Sequence, residues 1–171
     1  MKLDTSLRSL REATVLEHMT AENAHEFERC IAAFSHPRYE VVPTGEVWDG
    51  HSGVNALLKE NEKGFPDFQF HPEAMHHADD AVVVEGRFTG THTGSWRGLP
   101  ATGRKVDFPL VIVFLFEEER MVCERTYFDL GTPLRQLGVA RDPNSRSGKV
   151  GTALSHPIVV GVALVRSFLR R

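Results

Sequence analysis

Cys123-Glu124-Arg125-Thr126-Tyr127-Phe128-Asp129-Leu130-Gly131-Thr132-Pro133-Leu134-Arg135-Gln136-Leu137-Gly138-Val139 reads as a strand that runs out at Asp129 into a turn and a short helix. Alternation at period two puts Cys123, Arg125, Tyr127 and Asp129 on one face, and Val122, Glu124, Thr126 and Phe128 on the other. The first face mixes aromatic, basic and acidic groups. That mixture suits a pocket wall better than a packed interior, where unpaired polar groups are costly.

Upstream of this stretch the chain is rich in strand signals. Phe68 and Phe70 alternate, Asp79-Asp80 marks a turn, Ala81 to Gly90 is β-branched and alternating, and Val106 to Phe116 is almost continuously apolar. Glu117 to Arg120 is the return into the Cys123 strand. The connection from Gly94 to Lys105 holds Gly94, Gly98, Pro100 and Gly103 and reads as a loop with room for unusual backbone angles.

Helical signals come earlier. Leu3, Leu7 and Leu10 recur at helical spacing, and no proline or glycine interrupts the segment to about Met19. Thr20 can cap a second helix with Glu22 in its first turn and Phe27, Ile31 and Phe34 as its stripe, ended by His36-Pro37. An extended segment from Tyr39 to Trp48, broken by Pro43 and Gly45, precedes a third helix capped by Ser52 with Val54, Leu57 and Leu58 buried. Helices first and strands afterwards predict an α+β domain over 1–140, with helices on one face of a curved antiparallel sheet that leaves a cavity. Residues 141–155 read as a linker, and 156–171 as a C-terminal helical extension from Pro157 to Leu169, apolar from Ile158 to Val165. Eight apolar residues are about half what a bilayer span needs, so the expectation is a helix packed on the domain or a second subunit, with no membrane insertion; a membrane-surface role with the terminal arginines on headgroups is the alternative, to which eight apolar residues give little support.

The totals fit one domain: 171 residues, 41% hydrophobic, 25% charged, formal net charge -3. No basic stripe suggests nucleic acid. Cys30 and Cys123 are far apart in apolar segments and read as buried hydrophobes, excluding a disulfide framework or a thiolate zinc site. The amino terminus shows no signal peptide, which makes the cytoplasm the default location.

Asp129 is the sharpest chemical candidate. At a strand end facing an apolar cavity its pKa would rise toward general acid-base range; as an alternative it caps the turn before the Leu134 helix. His92, in Gly90-Thr91-His92-Thr93-Gly94, could shuttle a proton or polarise a carbonyl, or bond a backbone carbonyl instead. Trp48, Trp96, Tyr127 and Tyr39 are aromatic residues with a polar handle for a flat ligand. Arg125 is a candidate carboxylate clamp, though Glu124 beside it favours an ion pair, as Glu85 does for Arg87. His71, His76, His77, Asp79 and Asp80 read as a solvated turn, because adjacent histidines on a strand point to opposite faces and cannot easily share a metal. Phosphate-loop and nucleophile-elbow motifs are absent, so nothing in the sequence supports a nucleotide cofactor or covalent catalysis.

Gly90-x-His92-x-Gly94-x-x-x-Gly98-x-Pro100-x-Thr102-Gly103-Arg104, Tyr127-x-Asp129, Gln136-Leu137-Gly138 and Phe65-Pro66-Asp67 together resemble the SnoaL-like polyketide cyclases of the nuclear-transport-factor-2-like superfamily. The resemblance runs from the first helix to about Val139. It implies a cone-shaped curved sheet wrapped around helices, a deep cavity, a homodimer formed through the sheet, and a small hydrophobic ligand. It also implies an aldol cyclisation without metal or cofactor, with a cavity aspartate as acid and base at the position of Asp129. Glu117-Glu118-Glu119-Arg120 departs from the Asp-Gly hairpin common in the family. The same cone also suits an isomerase, an epoxide hydrolase or a non-catalytic binding module.

Overall fold

A computed structural model of the protein describes residues 5–142 and 144–169. Leu3, expected on the first helical stripe, and the terminal Arg170 and Arg171 lie outside the described residues.

Helix α1 (Thr5–Asn23) runs straight through the boundary expected at Thr20. The Thr20 hydroxyl donates back to the Leu16 carbonyl at 2.7 Å, so it is satisfied inside the helix and caps nothing. The break comes at His25, whose φ of 57° is left-handed, and α2 (Phe27–Ala32) follows. The Asn23 amide anchors this corner, donating to Phe70 O at 2.8 Å and accepting from Phe70 N at 2.7 Å.

The extended segment is two short strands, β1 (Arg38–Val41) and β2 (Glu46–Asp49), leading into α3 (Gly50–Gly64), which starts at Gly50 ahead of the expected cap Ser52. Then come β3 (Gln69–His77), β4 (Ala81–Thr91), β5 (Lys105–Glu117), β6 (Arg120–Phe128) and the short α4 (Gly131–Gln136). His71, His76 and His77 thus lie in strand β3, and only Asp79-Asp80 is turn. The six strands form one curved, open sheet in the order β2-β1-β6-β5-β4-β3. The fold class is α+β as expected, with one difference: β1 pairs parallel to β6, and the other neighbours are antiparallel.

Period-two patterning decides which side is inside. On β5, Val106, Phe108, Leu110, Ile112, Phe114 and Phe116 are buried and their neighbours are not. Each such burial is worth about 1.5–3 kcal/mol before entropy is counted. Val15, Met19, Ile31, Leu57 and Leu58 close the concave side from the helices.

The motif residues have structural work. Asp67 accepts from both Thr91 N and Thr91 Oγ1 at 2.6 Å and finishes the end of β4. The Gln136 amide accepts from Asp107 N at 2.9 Å and donates to Asp107 O at 2.7 Å, so a side chain completes the ladder of β5 where β6 has ended. Gly94 is required by a close approach: a Cβ there would lie 1.8 Å from the Lys63 carbonyl oxygen.

The expected linker contains helix α5 (Arg146–Ser155), opened by Ser145, whose hydroxyl accepts from Gly148 N at 2.9 Å. After a bend of 105°, α6 (Pro157–Leu169) follows. It does not pack on the domain, because none of its described residues is buried. No single described helix is long and apolar enough to cross a membrane.

Candidate active site

The concave side of the sheet encloses a cavity of about 120 Å³. Most of its wall is apolar and aromatic, with Phe65, Phe68, Phe88, Phe108 and Phe128 among the rings. Glu22 from α1, Tyr39 from β1, and Glu124 and Thr126 from β6 make up one polar patch, and Asn61 and Arg97 also line the wall.

Behind that patch lies His18, 1% exposed. Its Nδ1 is 3.1 Å from the Cys30 carbonyl oxygen and its Nε2 is 3.1 Å from Glu124 Oε2. Both ring nitrogens therefore face acceptors, which the imidazolium satisfies and a neutral ring cannot. Burial pushes the His18 pKa down, but bonds to Cys30 and Glu124 outweigh it and hold the pKa well above its usual value. Glu22, one helical turn on at i+4, brings Oε2 within 3.6 Å of the same Nε2. The Tyr39 hydroxyl is 3.2 Å from Nε2, and Thr126 donates to Glu124 Oε1 at 3.2 Å.

Two carboxyl groups beside one imidazolium cannot both ionise freely. Burial, then the negative charge of Glu124, pushes Glu22 up from 4.5 to about 8 against the pull of His18. At neutral pH Glu22 is a carboxylic acid with an O–H to donate, and its side chain opens onto the cavity. Burial likewise raises the Tyr39 phenol well above its usual value and keeps it neutral.

A folded-state pKa above the unfolded one contributes stability that is fully present below the unfolded value and lost as pH rises through the folded one. For Glu22 that window runs from about 4.5 to about 8. Glu22→Gln is therefore expected to flatten the fall of melting temperature across this window, so that the variant gains on the wild type as pH rises. Parallel melting curves would contradict the raised pKa.

The residues singled out from the sequence scatter. Asp129 is not in the cavity: its side chain is 65% exposed and accepts from Gly131 N at 2.9 Å, Thr132 Oγ1 at 2.7 Å and Arg135 Nη2 at 2.9 Å. Those bonds, Thr132 first, hold its carboxyl below the ordinary range, opposite to what a general acid needs. It is the turn cap. Asp129→Ala should lower the melting temperature modestly, and fraying of α4 seen by amide exchange would report it; an unchanged melting curve would contradict the cap.

His92 is fully buried, but its Nδ1 accepts from Thr102 N at 3.2 Å and its ring stacks on Phe65 with centroids 5.0 Å apart. Burial lowers its pKa, and it does not line the cavity. Tyr127 is 41% exposed on the convex face beside Pro109 and Val111. Arg125 is on that face too, bound to Glu40 at 2.6 Å and not to Glu124, so it is no substrate clamp. Trp48 packs against the core from β2 without reaching the cavity. Two expectations do reach it: Tyr39, and Trp96, whose Nε1 donates to Asn61 Oδ1 at 3.2 Å.

A family model described as SnoaL-like polyketide cyclase matches residues 13–137. The chain belongs to that family. The curated proteins give no match. Among solved structures, this SnoaL-like chain resembles TsrD from Streptomyces laurentii, with TM-score 0.66 and 24% identity over 81% of this chain and 99% of that one. It also resembles a phenazine biosynthesis-related protein from Pseudomonas aeruginosa, with TM-score 0.69 and 18% identity over 86% and 94% of the two chains. A third is a protein of ketosteroid isomerase-like fold from Catenulispora acidiphila, in complex with trimethylamine, with TM-score 0.62 and 16% identity over 74% and 92%. At these identities the likeness is one of fold. The SnoaL-like match includes His18, Glu22, Tyr39 and Glu124 as well as Asp129, so the family assignment alone does not choose between the two candidate centres.

Proposed function

We propose that this chain is an acid-base enzyme acting, without a cofactor, on a small hydrophobic carbonyl compound, and that its chemistry lies in the Glu124–His18–Glu22 network. The observation that carries the reading is geometric: the buried His18 ring has Glu124 at 3.1 Å and Glu22 at 3.6 Å, and both carboxyl groups line one patch of a mostly apolar cavity.

Glu124 removes a proton next to the substrate carbonyl. His18, bonded to Glu124, positions it and takes up the charge change through their shared hydrogen bond. Glu22 donates its O–H to the oxygen on which negative charge develops. In an aldol closure the enolate carbon then attacks a second carbonyl, and the new alkoxide takes the proton back. In an isomerisation the proton returns to a different carbon. A cavity of about 120 Å³ is near the size that holds one benzene ring, so the reacting part of the substrate is one ring or its open-chain precursor. The trimethylamine bound to the Catenulispora acidiphila protein is consistent with small ligands in this fold.

A binding module is the second reading, favoured by one observation: both Glu124 oxygens already have partners, His18 and Thr126. Deuterium exchange at the α carbons of single-ring ketones in D₂O separates the two, because a binding module accelerates no exchange. Ile112→Phe should abolish both ligand-induced thermal stabilisation and exchange, since Ile112 lines the cavity and the larger ring fills it. Exchange surviving that substitution would remove the cavity from the reaction.

A further inference from the structure

Helix α6 stands apart from the cavity domain. Ile158 is 79% exposed, Phe168 74% and Leu169 82%, and none of its described residues is buried. Of its 13 residues only Arg166 and Ser167 are polar. A helix that packs on a protein surface shows one apolar stripe and polar residues elsewhere; a helix apolar on nearly every side is built to be surrounded.

The charge of the chain is split at the same place. Residues 141–171 carry six basic side chains, Arg141, Arg146, Lys149, Arg166, Arg170 and Arg171, against the single acid Asp142. The preceding 140 residues carry 14 basic and 22 acidic side chains. An acidic domain is thus joined to a basic, apolar tip.

We infer that the α5–α6 hairpin seats on an anionic lipid bilayer, with α6 immersed at the headgroup and acyl boundary and the basic residues of both helices on the lipid phosphates. At 1.5 Å per residue α6 is about 20 Å long, against about 30 Å of hydrocarbon, so alone it is too short to cross and lies immersed in one leaflet with acyl chains around it. With α6 flat, Arg166 stays near headgroup level, and the 105° bend allows α5 to lie in the same plane so that Arg146 and Lys149 reach that level too, whereas an upright α6 would carry Arg166 inward. The negative cavity domain is repelled from the same surface and held off it, leaving the cavity free.

The test is co-sedimentation of the full chain with vesicles of phosphatidylcholine alone and of phosphatidylcholine mixed with phosphatidylglycerol. Binding to the mixed vesicles should be stronger by about tenfold or more and should weaken as salt is raised. Arg146→Glu with Lys149→Glu should remove that preference, and Val162→Asp with Phe168→Asp should release the protein from both vesicle types, with melting temperature unchanged because these side chains bury nothing in the domain. Failure of the wild type to sediment with either vesicle overturns the inference, as does equal binding to both. It is also overturned if the wild type is an oligomer without lipid that Val162→Asp with Phe168→Asp dissociates, since α6 would then pack on a second copy.

Discussion

Glu124→Gln is expected to slow α-proton exchange by about two to four orders of magnitude while leaving ligand-induced thermal stabilisation within a few-fold of the wild type. The amide has the shape of the carboxylate and keeps the contact with Thr126, but it cannot accept a proton in the reaction. The cavity wall is otherwise unchanged. Its effect should therefore fall on the chemical step and not on binding, the opposite of the pattern for Ile112→Phe. Glu22→Gln should have a smaller effect on the rate, because the amide N–H still offers a hydrogen bond to the developing oxyanion, although it has no proton to give.

His18→Leu is expected to be the most destabilising single change in the network, costing about 3–5 kcal/mol. The cause is not the lost attraction alone. Glu124 is 4% exposed, and without the imidazolium it is a buried carboxylate next to a second carboxyl group, with only the Thr126 hydroxyl left to it. Urea denaturation of His18→Leu, Glu124→Met and the double variant separates the contributions. The double variant should recover most of the loss, since two apolar side chains leave no unpaired charge. A loss below about 1 kcal/mol for His18→Leu would mean that the pair is solvated like a surface ion pair.

The period of the β6 strand was legible in the sequence, but its sidedness was not. Alternation separates Glu124, Thr126 and Phe128 from Arg125 and Tyr127 correctly, yet it cannot say which set faces the helices. A mixed aromatic and charged face resembles a pocket wall, and here it is the convex surface, where Arg125 meets Glu40 through the parallel β1–β6 register. A register shift opposite Leu115 and Phe116 adds to the difficulty: Met121 and Glu124 both turn inward, three residues apart, across a bulge that no alternation rule predicts.

The rest of the site was hidden by a helix boundary. With Thr20 taken as a cap, Glu22 sits in a first turn and His18 near a helix end, and the two have no relation. In the continuous α1 they are an i, i+4 pair on the face that buries Val15 and Met19. A histidine and a glutamate on a buried stripe were the available signal. The helices-first order and the long alternating strands were readable because each rests on local chemistry, whereas the closure of β5 by Gln136 depends on a contact 29 residues away. The meeting of His18, Tyr39 and Glu124 is a property of tertiary packing across 106 residues.

The most direct measurement compares α-proton exchange by Glu124→Gln and Asp129→Asn on the same single-ring ketone. The cavity network predicts that Glu124→Gln loses exchange and that Asp129→Asn, altered at an exposed turn cap, retains it. Loss in Asp129→Asn with retention in Glu124→Gln would contradict the account and return the chemistry to the end of the strand.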